Sequence, residues 1–107
     1  MKGISINGYY LHKIEMLLES HSEGTVSYLR YPKHRMHFKV EGDKLFLKIP
    51  AFLLLELYRR GIIPQDSSKS VSVKISGKNI GKFLVVDFRY PHYEYEVVSM
   101  ILKREEK

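Results

Sequence analysis

The residues of this 107-residue chain whose types and spacing could do chemistry gather in its middle. Arg35, His37, Lys39, Lys44, Phe46 and Lys48 alternate with apolar neighbours on either side of Glu41-Gly42-Asp43. On extended strands, alternate positions share one face. An aromatic ring flanked by lysines is what a nucleic-acid surface needs, because the ring offers a π face to a base and the ammonium groups neutralise phosphates. Lys74, Lys78 and Lys82, with Arg59 and Arg60, are placed to extend that surface. The same lysines also fit a solvated sheet face that discourages edge pairing, with Phe46 covered by a loop or helix. A second group is Arg89, Tyr90, Tyr93 and Tyr95. Tyrosine and arginine are enriched where proteins meet, so these residues, with Phe52 and Leu55 of an apolar helix, form a candidate interface. The plainer reading is tyrosines that pack their rings inward and keep their hydroxyls wet.

Catalytic and metal chemistry finds less support. His34 and His37 are the only closely spaced histidines, but residues three apart on a strand point to opposite faces and cannot share a metal. The chain has no cysteine, which removes disulfides, thiolate metal sites and cysteine nucleophiles and suits a cytoplasmic protein. Gly77 and Gly81 bracket Lys78-Asn79-Ile80 as a turn or bulge, not as a phosphate loop. The serines of 67–76 show no nucleophile-elbow pattern. Metal-free RNA cleavage needs only a base, an acid and cations, which Tyr31, His34, Arg35 and His37, with Arg89, Tyr90 and His92, could supply. Nothing in their spacing selects that chemistry. The expectation is a binding module rather than an enzyme, with no cofactor and no metal.

Composition agrees. Apolar residues make up 44% and charged residues 28%, which fits one globular domain spanning 1–107. No apolar run approaches a membrane span and the first residues do not read as a signal peptide. The net charge of +6 is unevenly spread: −1 over 1–25, +4 over 26–48, +4 over 49–92 and −1 over 93–107. One glutamine and two asparagines in a lysine-rich chain is a thermophile tendency, although a short chain also fluctuates this far by chance.

The elements that must carry these residues follow from periodicity. Tyr10, Leu11, Ile14, Leu17 and Leu18 make a helical stripe over about Tyr9–His21, with Asn7 as its N-cap. The rival is a hairpin, since Asn7-Gly8 is a strong two-residue turn signal. Val26–Arg30 reads as a strand ending before Pro32. Met36, Phe38 and Val40, then Leu45, Leu47 and Ile49, make the clearest hairpin. Pro50–Arg60 reads as a helix, closed by Arg59, Arg60 and Gly61, and apolar almost all round. Such a helix is buried on more than one side, either as a central helix packed across a sheet or as a helix shared with a second subunit. Val71–Ile75, Lys82–Phe88 and Glu94–Arg104 read as three further strands. The expected fold is α+β: a mainly antiparallel sheet of about five or six strands with two helices, in the order (β)αβββαβββ. Arg30-Tyr31-Pro32 recurs as Arg89-Tyr90-Pro91, from chance or from duplication of a helix-plus-meander unit.

Leu45-Phe46-Leu47-Lys48-Ile49-Pro50, the leucine-rich helix, Gly61-Ile62-Ile63-Pro64-Gln65-Asp66 and the Val-Ser-Val strand together resemble the element order of AbrB-type swapped-hairpin regulators. That resemblance implies an interleaved homodimer that binds DNA through basic residues. It covers about residues 44–75 and lacks the family's glycine-arginine-valine lead-in, so it is a likeness of element order and not membership. The expected partner is DNA or RNA held by the lysine-rich hairpins, with a homodimer admitted and no membrane. The alternative is a protein-interaction or inhibitor module using the Arg89–Tyr95 surface, and a small ribonuclease stands third.

Overall fold

Alternation of apolar and polar residues governs most of the chain, and the strands it makes join into one sheet. The computed structural model describes residues 4–11, 15–20, 23–27, 35–65, 68–87, 90–93 and 96–105. The strands are β1 (Ile4–Ile6), β2 (Tyr9–Tyr10), β3 (Glu15–Ser20), β4 (Glu23–Ser27), β5 (Met36–Glu41) and β6 (Lys44–Pro50), followed by helix α1 (Ala51–Arg59) and then β7 (Ser70–Ile75), β8 (Lys78–Val85) and β9 (Val97–Arg104). They lie in the spatial order β2-β1-β7-β8-β9-β6-β5-β4-β3, every neighbour antiparallel. The α+β reading stands, but among the described residues there are nine strands in place of five or six and one helix in place of two.

The missing helix has a local cause. Asn7 and Gly8 both adopt positive φ, +50° and +82°, and reverse the chain so that Ile6 pairs with Tyr9 and Ser5 with Tyr10. Two positive φ values in succession are the signature of a type I′ hairpin and cannot start a helix. Glu15–Ser20 then pairs along β4. Pairing to a neighbour overrides a helical stripe that rested on five side chains, because helix propensity is worth only tenths of a kcal/mol per residue. His12, Ile14 and His21 of the expected helix lie outside the described residues. So do Arg30, Tyr31 and Pro32 of the repeated tripeptide. Among the described residues the only helix is α1, so a duplicated helix-plus-meander unit finds no second helix.

Asn7 does more than turn the chain. Its side-chain nitrogen donates to the Ile62 carbonyl at 2.9 Å, and its side-chain oxygen accepts from the Ser72 amide at 2.8 Å. The first hairpin is thereby tied to β7 and to the end of α1. Asn7→Ala removes both bonds and leaves at φ +50° a residue without the polar side chain that lets asparagine tolerate this region, which costs about 1–2 kcal/mol for most residues. We expect a loss of about 2–3 kcal/mol in urea unfolding, with Asn7→Gly losing less because it keeps the turn.

The helix closes as its sequence predicts. Pro50 occupies the N-cap rather than the first helical turn. At the other end the Gly61 amide donates to Tyr58 O at 3.0 Å and the Ile62 amide to Leu57 O at 2.9 Å, with Gly61 at φ +70°. This is the Schellman pair of bonds, which needs a left-handed residue at that position.

One face of the sheet carries the core. Phe38, Leu45, Leu47, Ile49, Met100, Leu102, Phe83, Val71, Val73, Ile4 and Ile6 point there and pack with Leu53, Leu54 and Leu57 of α1. The helix lies over β6 and β9 in the middle of the sheet. Among the described residues no helix is long and apolar enough to cross a membrane.

Candidate nucleic-acid interface

The face opposite α1 gathers the lysines. Residues directly opposite in an antiparallel pair project to the same side, so register assigns each side chain to a face. His37 stands opposite Lys48, Lys39 opposite Phe46, and Lys44 opposite Lys103. Beyond β9, Lys103 stands opposite Leu84, and Lys82 faces the same way opposite Ser72. Lys74 lies further along β7, on the same side. Arg35 precedes β5 and is exposed. Phe46, flanked by Lys39 and Ile101, is half-buried.

Lys78 leaves the set. The β7–β8 pairing slips between Val73, opposite Gly81, and Lys74, opposite Asn79, so Ile80 is an extra residue in the ladder. A bulge of one residue flips the parity beyond it. Lys78 therefore pairs with the buried Ile75 and sits on the rim of the core face. Arg59 and Arg60 also leave it, because both donate to the Glu56 carboxylate at the end of α1, on the core side of the sheet. The Arg60 guanidinium further lies 5.7 Å from the Tyr9 ring centroid.

On that side of the sheet the two arginines also perturb the ionisation of Glu56. Hydrogen bonds from Arg60 and then Arg59 hold the Glu56 carboxyl below the ordinary carboxylate range. Because folding favours the ionised form, its contribution is full above the unfolded chain's carboxylate pKa and fades as acid protonates the folded one. The stability gap between the wild type and Glu56→Gln, measured by urea unfolding, is therefore expected at neutral pH and to close on acidification.

The open face is short of neutralising partners. Lys39 reaches Glu41 at 3.9 Å, whereas among the described residues no ion pair engages Lys44, Lys48, Lys74, Lys82 or Lys103. Lys44 and Lys103, directly opposed, are like charges on neighbouring strands, an arrangement that lowers stability. β6 and β9 are interior strands. Their lysines guard no edge.

Arg104 holds this arrangement from behind. Its guanidinium donates to Gly42 O and to Ile80 O, both at 3.1 Å, and lies 5.1 Å from the Phe83 ring centroid. It thus fastens the β5–β6 turn to the β8 bulge across the end of β9. Gly81 gives it room, since a β-carbon there would meet Arg104 Nε at 3.3 Å. Sequence reading missed Arg104 because nothing in its neighbours marks it. The lone Gly81 within a strand pattern was the available signal.

On the open face β4, β5 and β6 also frame a shallow pocket of about 270 Å³. It is lined by Glu23, His37, Phe38, Lys39, Phe46 and Lys48. His37 Nδ1 and the Thr25 hydroxyl are hydrogen-bonded at 2.9 Å, which fixes the ring.

No family model, characterised relative or solved structure matches this chain. The site is argued from its own residues. In the 44–75 stretch the strand, helix, strand order is present as β6, α1 and β7, but β6 and β7 lie in one sheet with β9 and β8 between them.

The second sequence-predicted group lies elsewhere. Tyr90 stacks on Tyr58 of α1, ring centroids 5.0 Å apart, so the tyrosine segment and the helix share one surface on the core side of the sheet. Leu55, Tyr90 and Tyr93 are 46%, 52% and 62% exposed there. Phe52 does not join them as a surface residue, because it packs partly buried against the core. Arg89 and Tyr95 lie outside the described residues. Of the residues suggested for RNA cleavage, His37 is on the open face and Tyr90 on the helix side, while Tyr31, His34 and Arg89 lie outside the described residues.

Proposed function

We propose that this chain is a nucleic-acid-binding module that uses the open face of its sheet, gripping phosphates with little regard to sequence. The observation that carries the reading is the set of lysines on the interior strands β6 and β9, which have no ion-pair partner among the described residues and lie beside the half-buried Phe46. The directly opposed Lys44 and Lys103 repel each other, and a polyanion supplies the neutralising charge. Fluorescence anisotropy with labelled duplex DNA, single-stranded DNA and RNA at two salt concentrations tests it. Affinity that falls steeply with salt is the expected result, as counterion release requires. Absence of binding at low salt overturns the reading.

A second reading has its own observation. Leu55, Tyr90 and Tyr93 expose apolar area on one surface around the Tyr58–Tyr90 stack. We propose this surface as a protein contact if the open face binds nothing, either for another protein or for a second copy of the chain. It predicts indifference to lysine reversal and sensitivity to Leu55→Asp with Tyr90→Ser.

A further inference from the structure

We infer that the pocket between β4, β5 and β6 seats a single unstacked base, so that the ligand of the open face is a single-stranded nucleic acid. The inference rests on the nucleic-acid reading above and deepens it. Register places Glu23, Lys39 and Phe46 side by side on three neighbouring strands. Glu23 and Phe46 are thus about 10 Å apart across the sheet, with the pocket between them. Lys39 turns its ammonium along its own strand toward Glu41, at 3.9 Å. The Glu23 carboxylate, half-buried, is left without an ion pair or hydrogen bond among the described residues.

These groups match the parts of one nucleotide. The Phe46 ring supplies a stacking surface, which only a base with an open π face can use. Lys48 lies on the same wall to take a phosphate. A carboxylate repels phosphate but accepts hydrogen bonds from an exocyclic amino group, as acidic side chains do from cytosine N4. The Watson–Crick edge of thymine or uracil offers carbonyl oxygens where cytosine offers its amino group, so the pocket prefers cytosine. Its volume of about 270 Å³ falls below the roughly 300–1,000 Å³ of pockets for drug-sized ligands, which suits one base better than a large cofactor. Duplex DNA fits poorly on two counts. Its bases are already stacked, and the surface on offer is the broad middle of a sheet in a molecule 40 × 30 × 21 Å, too wide for a major groove of about 12 Å.

Anisotropy titrations of the full chain with labelled deoxycytidine and thymidine octamers and a duplex of equal length test this. The expected order is deoxycytidine over thymidine by about tenfold, within the range of one good base contact, with the duplex weakest. Glu23→Gln should bring the two single strands together. Phe46→Leu, which keeps bulk and loses the π face, should weaken both about tenfold without changing the salt slope. Equal binding of all three ligands, unaffected by Glu23→Gln and Phe46→Leu but lost on lysine reversal, overturns the pocket and leaves the basic-face reading standing. No binding of any ligand at low salt overturns both.

Discussion

Lys44→Glu combined with Lys48→Glu is expected to weaken nucleic-acid binding about a hundredfold and to leave the fold intact. Both side chains are exposed on β6, an interior strand, with Glu41 and Lys103 opposite Lys44 and His37 and Ser99 opposite Lys48. A hydrogen bond to a charged group contributes roughly 1.5–3 kcal/mol, so two lost phosphate contacts remove about 3 kcal/mol or more, and reversal adds repulsion. The salt dependence is the sharper reading. Each phosphate contact contributes about 0.9 to the log–log slope on duplex and about 0.7 on single strands, so the double variant should flatten the slope by about 1.4–1.8. Stability moves little for a specific reason. Lys44→Glu loses attraction to Glu41 across the hairpin but turns the Lys44–Lys103 repulsion into attraction across the other ladder. Urea unfolding within about 0.5 kcal/mol of wild type, with binding lost, is the expected pair of results. Unchanged binding with an unchanged salt slope removes the lysine face as the site.

Much of this face is legible as sequence because a strand's period of two is local information. His37, Lys39, Lys44, Phe46 and Lys48 come out on one side with no knowledge of what pairs with the strands. Lys78 fails for a physical reason: one extra residue, Ile80, reverses parity, beside a glycine at φ +122° whose missing β-carbon leaves room for Arg104 of β9. Lys103 was missed because its relevance depends on β9 lying beside β6, a pairing between residues more than fifty positions apart. The helix α1 was legible to within a residue at each end, since Pro50 and Gly61 punctuate it from just outside. The false helix near the N-terminus shows the converse. Five apolar residues fit the helical period, but Asn7 and Gly8 at positive φ commit the chain to a hairpin, and β4 then supplies the pairing. There one local signal, the Asn7-Gly8 turn, outweighed another, the helical period, whereas Lys103 needed a pairing between strands far apart in sequence.

Phe83→Ala is the substitution we expect to cost the fold most. Phe83 is fully buried at the point where β8 meets β7 on one side and β9 on the other. Its ring packs in the core, and the Arg104 guanidinium lies over it. Truncating a buried phenylalanine typically costs about 3–5 kcal/mol, because the apolar contacts go and the cavity only partly collapses. A domain of about a hundred residues has only about 5–15 kcal/mol in total. Thermal unfolding followed by circular dichroism should show the midpoint falling by roughly 15–30 °C. Phe46→Leu on the open face, by contrast, should move it by a few degrees at most. The comparison separates the two faces of one sheet: the same residue type stabilises the fold on the side that α1 covers and is available for binding on the side that it leaves open. Loss of less than about 1 kcal/mol in Phe83→Ala would mean that β8 is not packed into the core, and the alignment of Lys82 with the lysines of β6 and β9 would fall with it. If the loss is as expected, binding by the folded fraction of Phe83→Ala should stay near wild type, because the lysines and Phe46 sit on the other side of the sheet and none of them touches the ligand through Phe83.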